Sequence, residues 1–506
     1  MHDATHRSRS SIGVAVVAFC AAILSAVAWA LASAPGSSPD DNFHLPSIWC
    51  AHGEAAGRCE SVPGDPDARA VPAAISGVQI CFNFDAAESA RCQQEVIAAA
   101  GDDISVGVGN WQGSYPPVYY WLQGLWVTSA PMVSVVLMRI FSALVVIAVL
   151  GALVALVPST MRPAAVLPLL VSSVPLGLSL ISSTNPSGWG IVGPASVLVA
   201  LHAAFATTGR RRAALCGMAV IATFVGAGAR ADACLFTAMA VVLVFILNGR
   251  RLARQPAPVV TGVVAVGIAA VLFLGAGQAS AVTGGLASEQ VLGEASQMST
   301  LELLWSNLTQ MPTLWTGFLG SGPLGRMGWL DTPVPPLVGF LSGGVLLTTA
   351  VRCLHRAPFA HAIALGLSLA SLIVYPSYVL VRGDLVVGQG MQPRYLLPLV
   401  VVLLALVLLS GVPRLSRGTW LALAGALSLA NAIALHTQMR RYVTGTDVSA
   451  LDLDTSREWW WDLPVGPTTV WALGVLGFAV TAFVALSLCV TRRDALERSE
   501  HRAPIA

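Results

Sequence analysis

Along this chain, long unbroken apolar runs alternate with polar stretches, and the length of the runs is the first signal. About twelve of them reach or approach the roughly 20 residues that a helix needs to cross a hydrocarbon core. They lie near 12–33, 131–157, 163–182, 188–207, 213–229, 232–248, 258–278, 334–351, 357–379, 395–411, 418–437 and 469–490. The pattern predicts an all-α polytopic membrane protein: a short N-terminus at 1–11, a multi-span domain over 12–490 and a tail at 491–506. The tight pair of runs around Arg230 and Asp232 also fits a re-entrant hairpin. The first run follows a basic start and ends in "LASAPG", as a signal peptide does. With so many runs after it, an uncleaved first helix is the better reading.

Composition agrees: 55% hydrophobic residues, 11% charged residues and a mean hydropathy of +0.72 lie outside the range of soluble globular chains. The formal charge of +2 gives no electrostatic footprint for nucleic acid. All 28 basic residues are arginine, which fits a GC-rich bacterial genome and, with the spans, a bacterial plasma membrane. Arginine-rich loops tend to stay in the cytoplasm. Arg7, Arg9, the stretches 209–212, 249–254 and 352–356, Arg414, Arg417 and the tail "TRRDALER" fall on one side of a twelve-span bundle. Both termini are therefore expected in the cytoplasm. Only Asp3, Asp494, Glu497 and Glu500 of the 26 acids share that side, so the long loops 34–130, 279–333 and 438–468 carry the acidic chemistry outside.

The first of those loops holds Cys50, Cys59, Cys81 and Cys92, close together in sequence. In an oxidising exterior four such cysteines suit two disulfides, with three connectivities open; loop length favours Cys50 with Cys59 and Cys81 with Cys92. A zinc site is the rival, though neither spacing is the short Cys-x-x-Cys kind. Tryptophan is lopsided as well. By this topology only Trp420 of the 14 lies near the cytoplasmic face, whereas an anchoring belt populates both interfaces. Aromatic rings at the outer face suit sugar rings or a lipid head. Anchoring of external loops explains about half of them without any site.

Candidate chemistry gathers at the same face. "SSPDDNFHLPSIWC" puts Asp40, Asp41 and His44 just beyond the first span, where acids are more often solvated loop residues than catalysts. "YPPVYYWLQG" (115–124) brings Tyr115 and Tyr119, and "LMRIFSAL" (137–144) sets Arg139 just inside a span, where a charge is a functional hypothesis by default. "GRMGWLDTPVPP" (325–336) carries Trp329 and Asp331, and "GQGMQPRYLLPL" (388–399) carries Gln392 and Arg394 at the start of a late span. Asn307-Leu308-Thr309 is a glycosylation sequon by pattern only.

The order Pro-Asp-acid-x-x-His after the first span, Gly-Trp-Leu-Asp before a Pro-rich entry, and Gln-x-Arg-Tyr-x-x-Pro before a late span resembles the bacterial domain-of-unknown-function family 2142. The likeness runs from about 15 to 490. In two respects the chain departs from the family pattern: the usual Asp-Glu pair reads Asp40-Asp41, and the cysteine-bearing insertion is long. That family is similar to the glycosyltransferase C superfamily, and the resemblance implies a glycosyltransferase C-like fold and a mechanism. A sugar carried on a polyprenyl phosphate would present its head at the outer face, and an acid of the first external loop would take the proton of an attacking acceptor hydroxyl, on an envelope glycan or glycolipid. Asp40 matches the family acid. Asp41 and His44 would orient it or bind an optional divalent cation; no other cofactor is implied. Arg394 leads as phosphate ligand, with Arg382, Arg230, Arg139 and Gln392 behind it, because a guanidinium matches phosphate oxygens in a fork. Tyr115, Tyr119, Trp329 and Asp331 are the expected lining for sugar or acceptor. The rival classes are a lipid or glycan transporter or flippase, and a non-catalytic envelope assembly partner.

Overall fold

The computed structural model describes residues 2–55, 58–277, 298–354, 358–411 and 415–489. The tail beyond 489, Arg414, the second half of 352–356 and residues 278–297 of the second long loop lie outside the described residues. The helices are α1 (His2–Leu31), α2 (Asp41–Trp49), α3 (Gln93–Ala100), α4 (Pro117–Gly124), α5 (Pro131–Leu156), α6 (Arg162–Ser172), α7 (Leu176–Ile181), α8 (Ser187–Phe205) and α9 (Gly209–Ala227). They continue with α10 (Ala231–Leu247), α11 (Pro256–Leu274), α12 (Thr300–Gly317), α13 (Pro336–Cys353), α14 (Phe359–Arg382), α15 (Leu397–Ser410), α16 (Arg417–Val443) and α17 (Pro467–Ser487).

Among the described residues, eight helices are long and apolar enough to span: Gly13–Leu31 of α1, and α5, α8, α11, α13, α14, α16 and α17. α10 and α15 are shorter apolar helices. The chain is a multi-pass membrane protein. Two expected segments differ in detail. The run 163–182 is broken into α6 and α7 around Pro175, and α9 with α10 forms a pair of helices about 28 and 25 Å long at 1.5 Å per residue, longer than a short hairpin requires. α8 is the central helix, with every residue buried except His202. A Cβ built on Gly193 of α8 would lie 2.4 Å from the Cα of Gly226 on α9. The two helices therefore touch backbone to backbone, as small residues permit in a bundle that has no hydrophobic drive between helices in lipid.

The ends of the bundle differ. At one end arginines tie short connections: Arg211 donates to the carbonyls of Leu156 (2.5 Å) and Val157 (2.6 Å), and Arg212 to that of Thr207 (2.8 Å). At the other end the three long loops assemble on one another. The first loop folds a three-stranded antiparallel sheet, β1 (Glu60–Val62), β2 (Asp65–Pro72) and β3 (Asp103–Val106), in the order β1-β2-β3. Its four cysteines pair as Cys50–Cys59 and Cys81–Cys92, the connectivity that loop length favoured, and leave no thiolate for zinc. Arg441, at the end of α16, is fully buried. It donates to the carbonyls of Glu88 and Phe82 (2.6 Å for Phe82) and pairs with Asp331 of the second loop at 3.0 Å. Trp461 of the third loop donates to the carbonyl of Leu31 at 2.8 Å.

Candidate functional site

The site begins where α1 ends. The last carbonyls of a helix have no partner within it. Here Arg139 of α5 supplies one, donating to the carbonyls of Ala30 (3.2 Å), Ser33 (2.5 Å) and Ala34 (2.8 Å). That engagement commits Arg139 to the helix exit, with 1% of its surface exposed. Trp329 braces the same turn, its indole N–H donating to the carbonyl of Gly36 at 2.8 Å. The Gly-Trp-Leu-Asp stretch turns tightly to do so. Gly328 has φ 62°, and a Cβ there would meet the Tyr442 hydroxyl oxygen at 2.8 Å.

Asp40 then sits in the left-handed region, with φ 62° and ψ 19°, a conformation that Asp tolerates better than most residues. Its carbonyl accepts the N–H groups of Phe43 and His44 (2.9 Å each) and so opens α2. Its carboxylate makes no cap bond to that helix. Instead Oδ2 receives Nη2 of Arg394 at 2.6 Å. The pair is asymmetric: 46% of the Asp40 side chain is exposed and 6% of Arg394. Burial raises the Asp40 pKa, but the groups around it, Arg394 first and then His44 and Arg230, together outweigh it and hold the carboxyl below the usual range.

Its neighbours are closed off. Asp41 is fully buried, accepting the Ser38 N–H (3.0 Å) and the Thr184 hydroxyl (2.6 Å), with Arg139 at 3.9 Å. Burial pushes its pKa up to about 6, against the pull of Arg139 and Thr184. His44 is also fully buried, with Nδ1 2.9 Å from the Tyr120 hydroxyl and Nε2 without a partner. The rings of Phe43, Tyr115 and Tyr120 stand 5.5, 5.4 and 6.0 Å from it, and burial lowers its pKa to about 3. The three side chains turn to different partners, and no group of three or more His, Cys, Asp or Glu gathers for a metal among the described residues. As placed, this donor set does not fit a divalent cation.

Arg394 and Arg230 share one ring. Their Cζ atoms lie 5.0 and 4.8 Å from the centroid of Tyr395, and Arg394 donates to the Tyr395 hydroxyl at 3.1 Å. Arg230 also stands 5.9 Å from Tyr115. Asp232 holds it through two contacts of 2.9 Å, Nε to Oδ1 and Nη2 to Oδ2. The structure thus brings Asp40, Arg394, Arg230, Tyr115 and His44 together. Gln392 leads into the 393–395 turn that carries Arg394, its Oε1 buried without a partner. Arg382 is exposed at the end of α14, and none of the hydrogen bonds or ion pairs described ties it to the cluster. Tyr119 is buried against Trp189 at 4.9 Å and does not line the recess. Asp331 is buried too, accepting from Arg441 and the Phe84 N–H, a brace between loops and not an open lining. The rings around the cluster are mainly tyrosines, whereas tryptophans 29, 189, 329, 461 and 471 spend their indole N–H groups on cross-links.

Sequence reasoning assigned no role to Tyr395, Tyr120, Asp232 or Thr184. The polar patch "SSTNPS" at 182–187 was the available signal for the last. Thr184 and Asn185, which donates to the Pro39 carbonyl at 2.7 Å, hold the Asp40 turn from the far side.

Over residues 23–403 the chain matches the model of the family described as "Predicted membrane protein (DUF2142)". The chain belongs to this family. The DUF2142 match takes in the Asp40 turn, the Gly328–Asp331 stretch and Arg394, and ends ahead of α16 with its Arg441. Among solved structures, ArnT from Cupriavidus metallidurans bound to undecaprenyl phosphate is similar at 15% identity and a TM-score of 0.38, covering 93% of this chain and 76% of that one. No curated protein matches.

Proposed function

We propose that this protein is a glycosyltransferase of the bacterial plasma membrane, working at the outer face with a sugar donor linked to polyprenyl phosphate and an envelope glycan or glycolipid acceptor. Arginine placement supports a cytoplasmic position for the end of the bundle bearing Arg211 and Arg212 and an external one for the long-loop end. The observation that carries the proposal is the unequal ion pair, an exposed carboxylate on a buried guanidinium backed by a tyrosine ring, at the end of the bundle where a lipid head would lie.

In the reaction, the acceptor oxygen bonds to the anomeric carbon while its proton passes to Asp40. The bond from that carbon to the phosphate oxygen breaks, and the polyprenyl phosphate leaves with the electron pair. Arg394 binds the phosphate, whose charge grows in a dry environment where a fixed cation is far more effective than in water. The ring of Tyr115 offers an apolar face to the sugar.

A membrane assay with polyprenyl phosphate sugars tests the reading. Asp40→Asn keeps shape and one acceptor edge but cannot take the proton, so transfer is expected to fall by about 10² or more. Arg394→Ala is expected to weaken donor binding as well as turnover, and Arg394→Lys to rescue only in part, lacking the planar fork. Full transfer by Asp40→Asn, at matched expression and melting temperature, would remove Asp40 from the mechanism.

A further inference from the structure

We infer that Asp40 and the anionic group of the donor compete for Arg394, so that anion binding is the event that frees Asp40 to act as a base. This rests on the reading of Arg394 as the anion's ligand. It adds an order of events: donor first, then activation of the acceptor hydroxyl.

The contact between the two is one-pointed. Arg394 reaches Asp40 through Nη2 alone, while its Nε is buried and has no hydrogen-bond partner. Phosphate oxygens match the two-donor edge of a guanidinium better than a single-point carboxylate does. The buried arginine therefore keeps a donor unused.

Of the two partners only Asp40 is placed to move. Arg394 is held by Tyr395 through ring and hydroxyl, and its turn is wedged in place: a Cβ on Gly317 of α12 would come within 2.4 Å of Pro393. Asp40 is the half-exposed partner, and its carboxylate has no second anchor among the described residues. Arg230, the other cation at the ring, is already matched through two contacts by Asp232 and cannot substitute as a partner for Asp40. Without an incoming anion, departure of Asp40 would leave Arg394 as a buried unpaired charge, which is strongly unfavourable. The pair therefore holds until an anion arrives.

Exchange also strengthens the base. The two largest influences on the Asp40 carboxyl oppose one another, burial raising its pKa and Arg394 lowering it. Once a phosphate takes Arg394, that lowering influence is offset and the carboxylate holds a proton more readily than in the pair.

The test uses the full-length protein in nanodiscs, with undecaprenyl phosphate as the probe and binding read by thermophoresis. Asp40→Asn and Asp40→Ser are each expected to tighten binding about 2- to 5-fold, the range for losing a partly exposed competing ion pair. The same variants lose transfer. Arg394→Ala is expected to weaken binding at least about tenfold. If Arg394→Ala loses binding while both Asp40 variants bind as the parent or more weakly, competition is overturned and Arg394 stands as the ligand. If Arg394→Ala binds as the parent, the anion reading fails and competition fails with it. Inorganic phosphate, run in parallel, is expected to show the same order of variants at weaker affinity. Equal affinity for both probes would assign the site to free phosphate and overturn the lipid-linked donor.

Discussion

A single residue, Asp40, is distinguished from its neighbours by access and not by chemical type. Asp41 carries the same carboxylate one position on, yet it is enclosed by Ser38, Thr184 and Arg139, while Asp40 remains open on one side. His44 is enclosed too, and that has a pH consequence. Burial lowers its pKa from 6.5 to about 3, so the unfolded chain takes up a proton near 6.5 while the folded chain resists until near 3. The stability contributed by neutral His44 is complete above 6.5 and is lost as pH falls through that window. Asp41, with its pKa raised to about 6, acts in the opposite direction over the same window, so the expected signature is a difference: between about pH 7 and about pH 4.5 the melting temperature of the parent drops relative to that of His44→Gln. Parallel decline in the two proteins would show that His44 is not the group responsible.

At the scale of elements, the loops are held to the bundle by buried charge as well as by covalent links. Arg441 and Asp331, with side-chain exposures of 0% and 1%, join the end of α16 to the second loop. Truncating one partner leaves the other as a buried unpaired charge, a change that typically costs about 3 to 5 kcal/mol. Arg441→Met is expected to lower the melting temperature sharply, and Arg441→Met with Asp331→Leu to recover much of it. A single variant as stable as the parent would dismiss the brace. The disulfides act more locally, closing loops with sequence separations of 9 and 11. Removing both is expected to expose the 50–92 region to proteolysis first, with a loss below the roughly 2 to 5 kcal/mol typical of small exported domains, because the bundle supports the loop. Unchanged proteolysis of that region in the cysteine-free variant would contradict this. α12 was missed by counting apolar runs, since Glu302, Ser306, Asn307 and Gln310 break its hydropathy. Its capping box at Ser299 and Glu302 was the legible sign, and it folds because Leu303, Asn307, Met311 and Leu314 form one buried stripe.

For the whole molecule, the two ends of the bundle predict a sidedness. With arginine connections at one end and the three loops at the other, the C-terminus is expected in the cytoplasm and residues 34–130 outside. Reporter fusions after α17, together with labelling of an engineered thiol in the first loop of intact cells, check this. An external C-terminus would reverse the orientation and place the Asp40 recess on the wrong side for the proposed donor.

How much of this was legible follows from the range of each interaction. Crossing lipid demands a continuous stretch of apolar side chains, so the apolar runs, the loop lengths between them and the arginine-rich short connections are local properties that sequence alone determines. Cysteines 9 and 11 residues apart are near enough for loop length to select their partners, and the pairing was readable for the same reason. Asp40 and Arg394 were each visible as candidates, but their contact joins residues 354 positions apart. Only tertiary structure decided that Asp40 is open while Asp41 and His44 are enclosed. It also turned Arg139 to a helix exit and Asp331 to an interloop brace, and set Arg230 and Arg394 against one tyrosine ring. Burial and partner choice depend on which distant segments pack alongside, and no local pattern of residues encodes that.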